Sequence, residues 1–134
     1  MSKPPVDVTR HDKRVRKKRA QKKGRWAELL IRLYLRACGY RILASNYKTP
    51  VGEIDLIARR GNTVAFIEVK ARDTFLHAAE AITPRQQERI IRASNLFLSQ
   101  TYLPHCTHCD FRYDVALVRG RFSFQMVRGA WLAS

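Results

Sequence analysis

Apolar residues in this chain recur at two periods. From Gly24 to Ala37, the positions Trp26, Leu29, Leu30, Leu33, Tyr34 and Ala37 follow the three-to-four spacing of one helix face. Arg25, Glu28, Arg32 and Arg36 fill the opposite stripe, and Gly39 stands where a left-handed residue ends such a helix. Residues 40–47 suit a strand that Pro50 interrupts. Two β-rich runs follow, Gly52–Arg60 and Thr63–Arg72, and the Gly61-Asn62 pair between them is a two-residue hairpin signal. Thr83, Pro84 and Gln86 then make a helix start, with threonine as cap, proline in the first turn and glutamine closing a capping box. That helix is predicted to run to about Gln100 and to bury Ile90, Ala93 and Phe97. Two further strands, Phe111–Val118 and Phe122–Val127, turn at Arg119-Gly120-Arg121. The order α-β-β-β-α-β-β predicts an α/β (α+β) fold in which helices flank a mixed central sheet. One domain is expected over residues 24–128, with 129–134 as a C-terminal tail.

Hairpin register carries the chemistry. With Gly61 and Asn62 as the whole loop, Arg60 pairs with Thr63, so Asp55 lies opposite Glu68 and Glu53 opposite Lys70. These four share a face on which Ile57 and Phe66 come next. The other face, Ile54, Leu56 and Ala58 against Val69, Ile67 and Ala65, is apolar throughout. Directly opposed carboxylates have Cβ atoms about 5 Å apart and repel, by roughly 3 kcal/mol at an effective dielectric of ~20. Something cationic has to lie between them, either Lys70 or a divalent ion. Oxygen ligands of this kind suit Mg²⁺ or Mn²⁺, held by one or two carboxylates together with substrate phosphate. Without a metal, the same side chains form a buried network of Glu53 and Asp55 with Lys70, and the pattern alone leaves both readings open.

Charge points to the partner. The 134 residues hold 26 Lys+Arg against 11 Asp+Glu, a formal net charge of +15. Residues 1–23 contribute ten basic side chains, among them Lys17, Lys18, Arg19, Lys22 and Lys23, against Asp7 and Asp12. This stretch reads as a basic, disordered tail that grips phosphates without folding, although a helix extending back from residue 24 is compatible with it. The rest of the chain is basic as well. A polyanion is the implied partner, nucleic acid before an anionic membrane surface. No apolar run approaches the ~18 residues of a membrane span. The basic N-terminus leads into an arginine-interrupted helix and not into the apolar core of a secretory signal. Three cysteines, an odd number, argue against a disulfide scaffold and for a reducing, cytoplasmic setting.

Gly52-Glu53-Ile54-Asp55-Leu56-Ile57, followed by Phe66-Ile67-Glu68-Val69-Lys70, resembles the D…ExK core of the PD-(D/E)xK nuclease superfamily, and more narrowly the YraN family of small bacterial proteins. The likeness extends to Gly24-Arg25-Trp26-Ala27-Glu28, to Gly39-Tyr40-Arg41-Ile42-Leu43 with Asn46, to Thr83-Pro84 with Gln87, and to Phe111-Arg112-Tyr113-Asp114-Val115. It implies a restriction-endonuclease-like fold. It also implies that Asp55 and Glu68, with the Val69 carbonyl, hold Mg²⁺ (or Mn²⁺), that Lys70 positions or activates water, and that Glu28 completes the site. The activity implied is endonuclease or phosphodiesterase action on DNA or RNA. A non-catalytic nucleic-acid or ribonucleoprotein binding module on the same fold is the alternative, and nucleases of this fold often work as homodimers. In one departure, family sequences often carry a lysine before the glutamine of the second helix where this chain has Gln86; Arg85 and Arg89 are the available substitutes.

Other features have plainer readings. Glu28 precedes Arg32 by one turn and suits an ion pair. Arg85, Arg89 and Arg92 form a largely basic stripe, a solvated face that beside a metal site would hold a nucleic-acid backbone, with Arg25 and Gln87 as further contacts. His105-Cys106-Thr107-His108-Cys109 offers ligands from one short loop, poor geometry for a closed zinc site. Cys38 reads as a packing residue and Asp114 as a hydrogen-bonded structural acid.

Overall fold

The computed structural model describes residues 8–73, 81–101, 103, 106 and 108–132. Helix α1 (Val8–Ala37) leads into strands β1 (Arg41–Thr49), β2 (Gly52–Arg60) and β3 (Thr63–Ala71). Helix α2 (Pro84–Gln100) then connects to β4 (Asp110–Arg119) and β5 (Ser123–Trp131). The five strands form one sheet in chain order. All neighbours are antiparallel except β3 and β4, which run parallel because α2 crosses between them. The α-β-β-β-α-β-β order and the mixed sheet are as the hydrophobic pattern predicts.

Each helix covers one face of the sheet. Ala27, Ile31 and Leu35 of α1 pack on Leu56, Ala58, Ala65, Ile67, Ala116 and Val118. Ile90, Ala93 and Phe97 of α2 pack on Ile57, Val64, Phe66, Val115 and Leu117. The central strands are therefore buried on both sides, which explains their near-continuous apolar runs. Both helix signals hold at atomic level. At the end of α1, Gly39 takes φ 88°. The Tyr40 amide then donates to the Leu35 carbonyl (2.9 Å) and the Gly39 amide to the Arg36 carbonyl (3.0 Å). At the start of α2, the Gln86 amide donates to Thr83 Oγ1 (3.2 Å) and the Thr83 amide to Gln86 Oε1 (3.0 Å).

Four expectations need correction. The basic stretch was expected to be an unstructured tail, but residues 8–23 continue α1 as helix. After Pro5 nothing in it breaks a helix, its Lys, Arg, Gln and Ala are good helix formers, and the docked turns beyond Gly24 supply the nucleus. Residues 1–7 lie outside the described residues. The buried face of α1 is centred on Ile31, leaving Trp26, Leu29 and Leu33 exposed at 40%, 37% and 54%. Apolar residues cover so much of this helix that spacing alone does not choose its centre, and small Ala27 lets the backbone close on the sheet. Ile54 packs with Ile57 on the α2 side and not with Leu56 on the α1 side. Two residues flanking Asp55 thus face opposite layers, which simple alternation forbids, so β2 turns over at Asp55.

The C-terminal boundary also moves. Residues 129–131 are strand, and only 133–134 lie outside the described residues. Gly129 (φ 62°) accompanies a register shift between the Tyr113–Trp131 and Val115–Val127 pairs. The bulge hides the pairing from any alternation test. It brings Trp131 into the core, stacked on Tyr113 with ring centroids 5.4 Å apart. Asp114, 1% exposed, ties this corner together. It receives two hydrogen bonds from Arg112, Nε to Oδ1 (2.8 Å) and Nη2 to Oδ2 (2.9 Å), and a third from the Gly129 amide (3.0 Å). Arg112 also donates to the Tyr40 hydroxyl (2.9 Å).

Candidate functional site

The β2–β3 hairpin has the register the turn dipeptide predicts, Arg60 with Thr63 through Leu56 with Ile67. There the ladder stops. β3 continues beside β4 as far as Ala71, while β2 swings towards β1. Asp55 occupies the point of divergence, and its Oδ2 accepts the Val69 amide (2.8 Å), a donor the ladder no longer serves. The Asp55 and Glu68 carboxyls lie close enough for each to act on the other's charge. Lys70 Nζ lies 3.2 Å from Glu68 Oε1.

Glu28 enters from α1. Its Oε1 accepts from Asn46 Nδ2 (3.0 Å). Asn46 lies between Ser45 and Tyr47, whose partners are Leu56 and Ile54, so it stands across from Asp55. It is the non-glycine residue with positive φ (52°) among those described, a conformation asparagine tolerates better than most. Sequence reasoning placed Asn46 within the family likeness and not in the site. Its mark was a turn-prone residue inside a strand pattern.

The electrostatics follow from crowding acids in a half-dry place. Burial, and after it the Asp55 charge, hold the Glu68 carboxyl up at about 7 against Lys70, which lowers it. Burial raises Asp55 as well, against the Val69 amide and Lys70, which favour its charged form. Burial, then Asp55, raises Glu28, while Arg32 and Asn46 lower it. This group holds more acid than Lys70 neutralises, which favours a protonated carboxyl in place of a second cation. A hard divalent cation fits that donor set, with Asp55 and Glu68 as its oxygen ligands. Among the described residues no three His, Cys, Asp or Glu side chains converge closely enough to hold a metal ion by themselves. Glu28 is thus a neighbour of the acidic pair whose own charged form the Asp55 charge disfavours.

The expected Glu53–Lys70 opposition does not form. Glu53 is exposed and pairs along the backbone with Lys48, and the Lys70 ammonium goes to Glu68. The divergence of β2 from β3 is the reason. The α2 stripe lies beside the site through a close approach. A Cβ on Gly52 would overlap the Arg89 carbonyl, so the helix backbone rests on the start of β2. Arg85 and Arg89 are exposed, as is Arg25. Arg92 is paired with Glu88 (2.6 Å). Gln87 donates to the Ile82 carbonyl (3.2 Å) and Gln86 is engaged in the cap. The side chains of Lys17, Lys18, Arg19, Lys22 and Lys23 lie outside those described. Cys106 and Cys109 lie together within their loop, Cα atoms 5.4 Å apart. His105 lies outside the described residues.

Comparison with known proteins supplies no activity but a clear kinship. Residues 27–118 match the uncharacterised protein family UPF0102. A UPF0102 protein of Maricaulis maris is 45% identical over 117 residues, 87% of this chain and 90% of its own length. One from Chelativorans is 48% identical over 108 residues, covering 81% of this chain and 86% of the relative. One from Rhodopseudomonas palustris reaches 51% over 94 residues, 69% of this chain and 67% of the relative. The matched span includes Glu28, Asp55, Glu68, Lys70 and α2, and leaves out the whole basic stretch and all of β5. The chain belongs to the UPF0102 family, the YraN family that its motifs resemble.

Proposed function

We propose that this protein is a metal-dependent phosphodiesterase acting on DNA or RNA. The observation that carries the reading is the meeting of Asp55, Glu68 and Lys70 where β2 leaves β3, with the two carboxyls acting on each other's charge and the ammonium 3.2 Å from Glu68. A bound Mg²⁺ or Mn²⁺ would supply Lewis-acid polarisation of a phosphate oxygen. Asp55, oriented by the Val69 amide, and Glu68 would hold it. Lys70 would place positive charge against the phosphate as negative charge develops there, and would hold or release a proton at Nζ next to the attacking water. Glu28, steadied by Asn46, would stand beside the pair as an acid whose protonated form the Asp55 charge favours. Arg25, Arg85 and Arg89 would take the neighbouring phosphates. The test is a cleavage panel of branched, duplex and single-stranded substrates with Mg²⁺ or Mn²⁺. Wild type is expected to cut, and Lys70→Ala and Asp55→Ala to lose cleavage while retaining most binding. Equal activity in wild type and variants overturns the proposal.

A second reading, a non-catalytic nucleic-acid binding module, draws on the Lys70–Glu68 ion pair, which satisfies both groups without a metal. It expects Asp55→Asn to leave function intact and to stabilise the fold.

A further inference from the structure

A pocket opens at the end of the sheet where β3 and β4 finish side by side. Its volume is about 780 Å³, within the range of sites that take small organic groups. Trp26 and Phe122 form one wall, Ala71 part of the floor, and Arg72, Asp73 and Arg121 the charged rim. The aromatic wall is fixed in place. The Trp26 indole Nε1 donates to the Arg121 carbonyl (2.6 Å), and its ring meets Phe122 edge-on, centroids 5.9 Å apart. Yet Phe122 is 73% exposed and Trp26 40%, an unusual cost in apolar surface for residues packing nothing further.

The pocket is close to the candidate site along the chain but opens on the α1 face of the sheet, where Ala71 and Val118 pack, whereas strand alternation turns Glu68 and Lys70 to the other face. Ala71 and Arg72 directly follow Lys70, and Trp26 lies half a turn from Glu28 on α1. We propose that this pocket receives an unpaired nucleobase of the strand being cut, stacked on Trp26 and Phe122, with Arg72 and Arg121 on its flanking phosphates; the proposal rests on the phosphodiesterase reading. An exposed aromatic face beside arginines is what a single-stranded nucleic acid needs, whereas a paired base within a duplex keeps its faces stacked on its neighbours. Charge decides against a second copy of this chain, which would bring +15 and its own arginines to the same rim.

The test measures binding of the full chain, in chelator so that nothing is cut, to three end-labelled probes. These are a duplex with a short unpaired extension, the same duplex with abasic sites in the extension, and a blunt duplex. Wild type is expected to prefer the intact extension over the abasic one by roughly 5- to 100-fold, with quenching of indole fluorescence. Trp26→Ala is expected to remove that preference and leave blunt-duplex affinity unchanged, and Trp26→Phe to keep much of it. Equal wild-type affinity for intact and abasic extensions overturns the proposal, as does a uniform loss across all probes in Trp26→Ala. A change in oligomeric state without a change in preference also overturns it, assigning the patch to a second copy. Failure to bind any probe removes the nuclease reading itself; binding without base preference removes only this pocket's role.

Discussion

Glu68 shows in one side chain what the site demands. Its carboxyl has an ordinary value of 4.5 and is held at about 7 in the fold. The folded state therefore binds this proton more tightly than the unfolded chain does. Its share of stability is complete below pH 4.5, is lost as pH rises from there to about 7, and is constant above. The loss is on the order of 3 kcal/mol. In chelator, the urea midpoint is expected to fall between pH 5 and pH 8, and Glu68→Gln is expected to flatten the profile and to be the more stable protein at pH 8. A wild-type midpoint as high at pH 8 as at pH 5 would refute this account. Asp114 is the contrasting acid, buried with every partner in place. Asp114→Ala strands the Arg112 guanidinium and the Gly129 amide and is expected to cost about 3–5 kcal/mol by denaturant unfolding. A loss under 1 kcal/mol, on the scale of exposed ion pairs, would place it among surface contacts.

Among the elements, the approach of α2 to β2 does the most to position the site. Gly52→Ala puts a methyl against the Arg89 carbonyl, so helix or strand has to shift. It is expected to lower the thermal midpoint and, because Asp55 lies three positions along, to weaken any divalent-ion response as well; a neutral substitution would show that the contact has slack. Element scale is also where the sequence spoke most clearly. Gly39, Gly61-Asn62 and the Thr83-Pro84 start each act within a few residues, through a φ value or a cap, and each performs as predicted. The misses all depend on distant partners. Which stripe of α1 is buried depends on the sheet beneath it. The turnover at Asp55 and the Gly129 bulge break the two-residue period on which strand reading rests. The site was legible as a meeting of Asp55, Glu68 and Lys70 because hairpin register projects forward from the turn. Glu53 was misplaced because the projection ran past the end of the ladder.

At the scale of the whole molecule, the net charge of +15 is the feature that bears on any partner. If phosphates are the partner, the logarithm of affinity is expected to fall linearly with the logarithm of salt concentration, with a slope of about −0.9 per phosphate neutralised on duplex DNA. Arg85→Gln and Arg89→Gln are each expected to reduce the slope by about one. Slopes unchanged by both variants would detach the α2 stripe from the interface. No helix among the described residues is long and apolar enough to cross a membrane. The domain also closes further along the chain than its apolar runs suggest, since Trp131 of β5 completes the core.

The continuity of α1 has one more consequence. A cationic coil samples every direction and surrenders that freedom on binding, whereas α1 carries its charges on a rod rooted in the domain through Ala27, Ile31 and Leu35. The stretch ahead of Gly24 spans roughly 24 Å at helical rise, so any polyanion that met it would meet an oar and not a net, and the angle of the shaft as well as its charge would set what lay within reach.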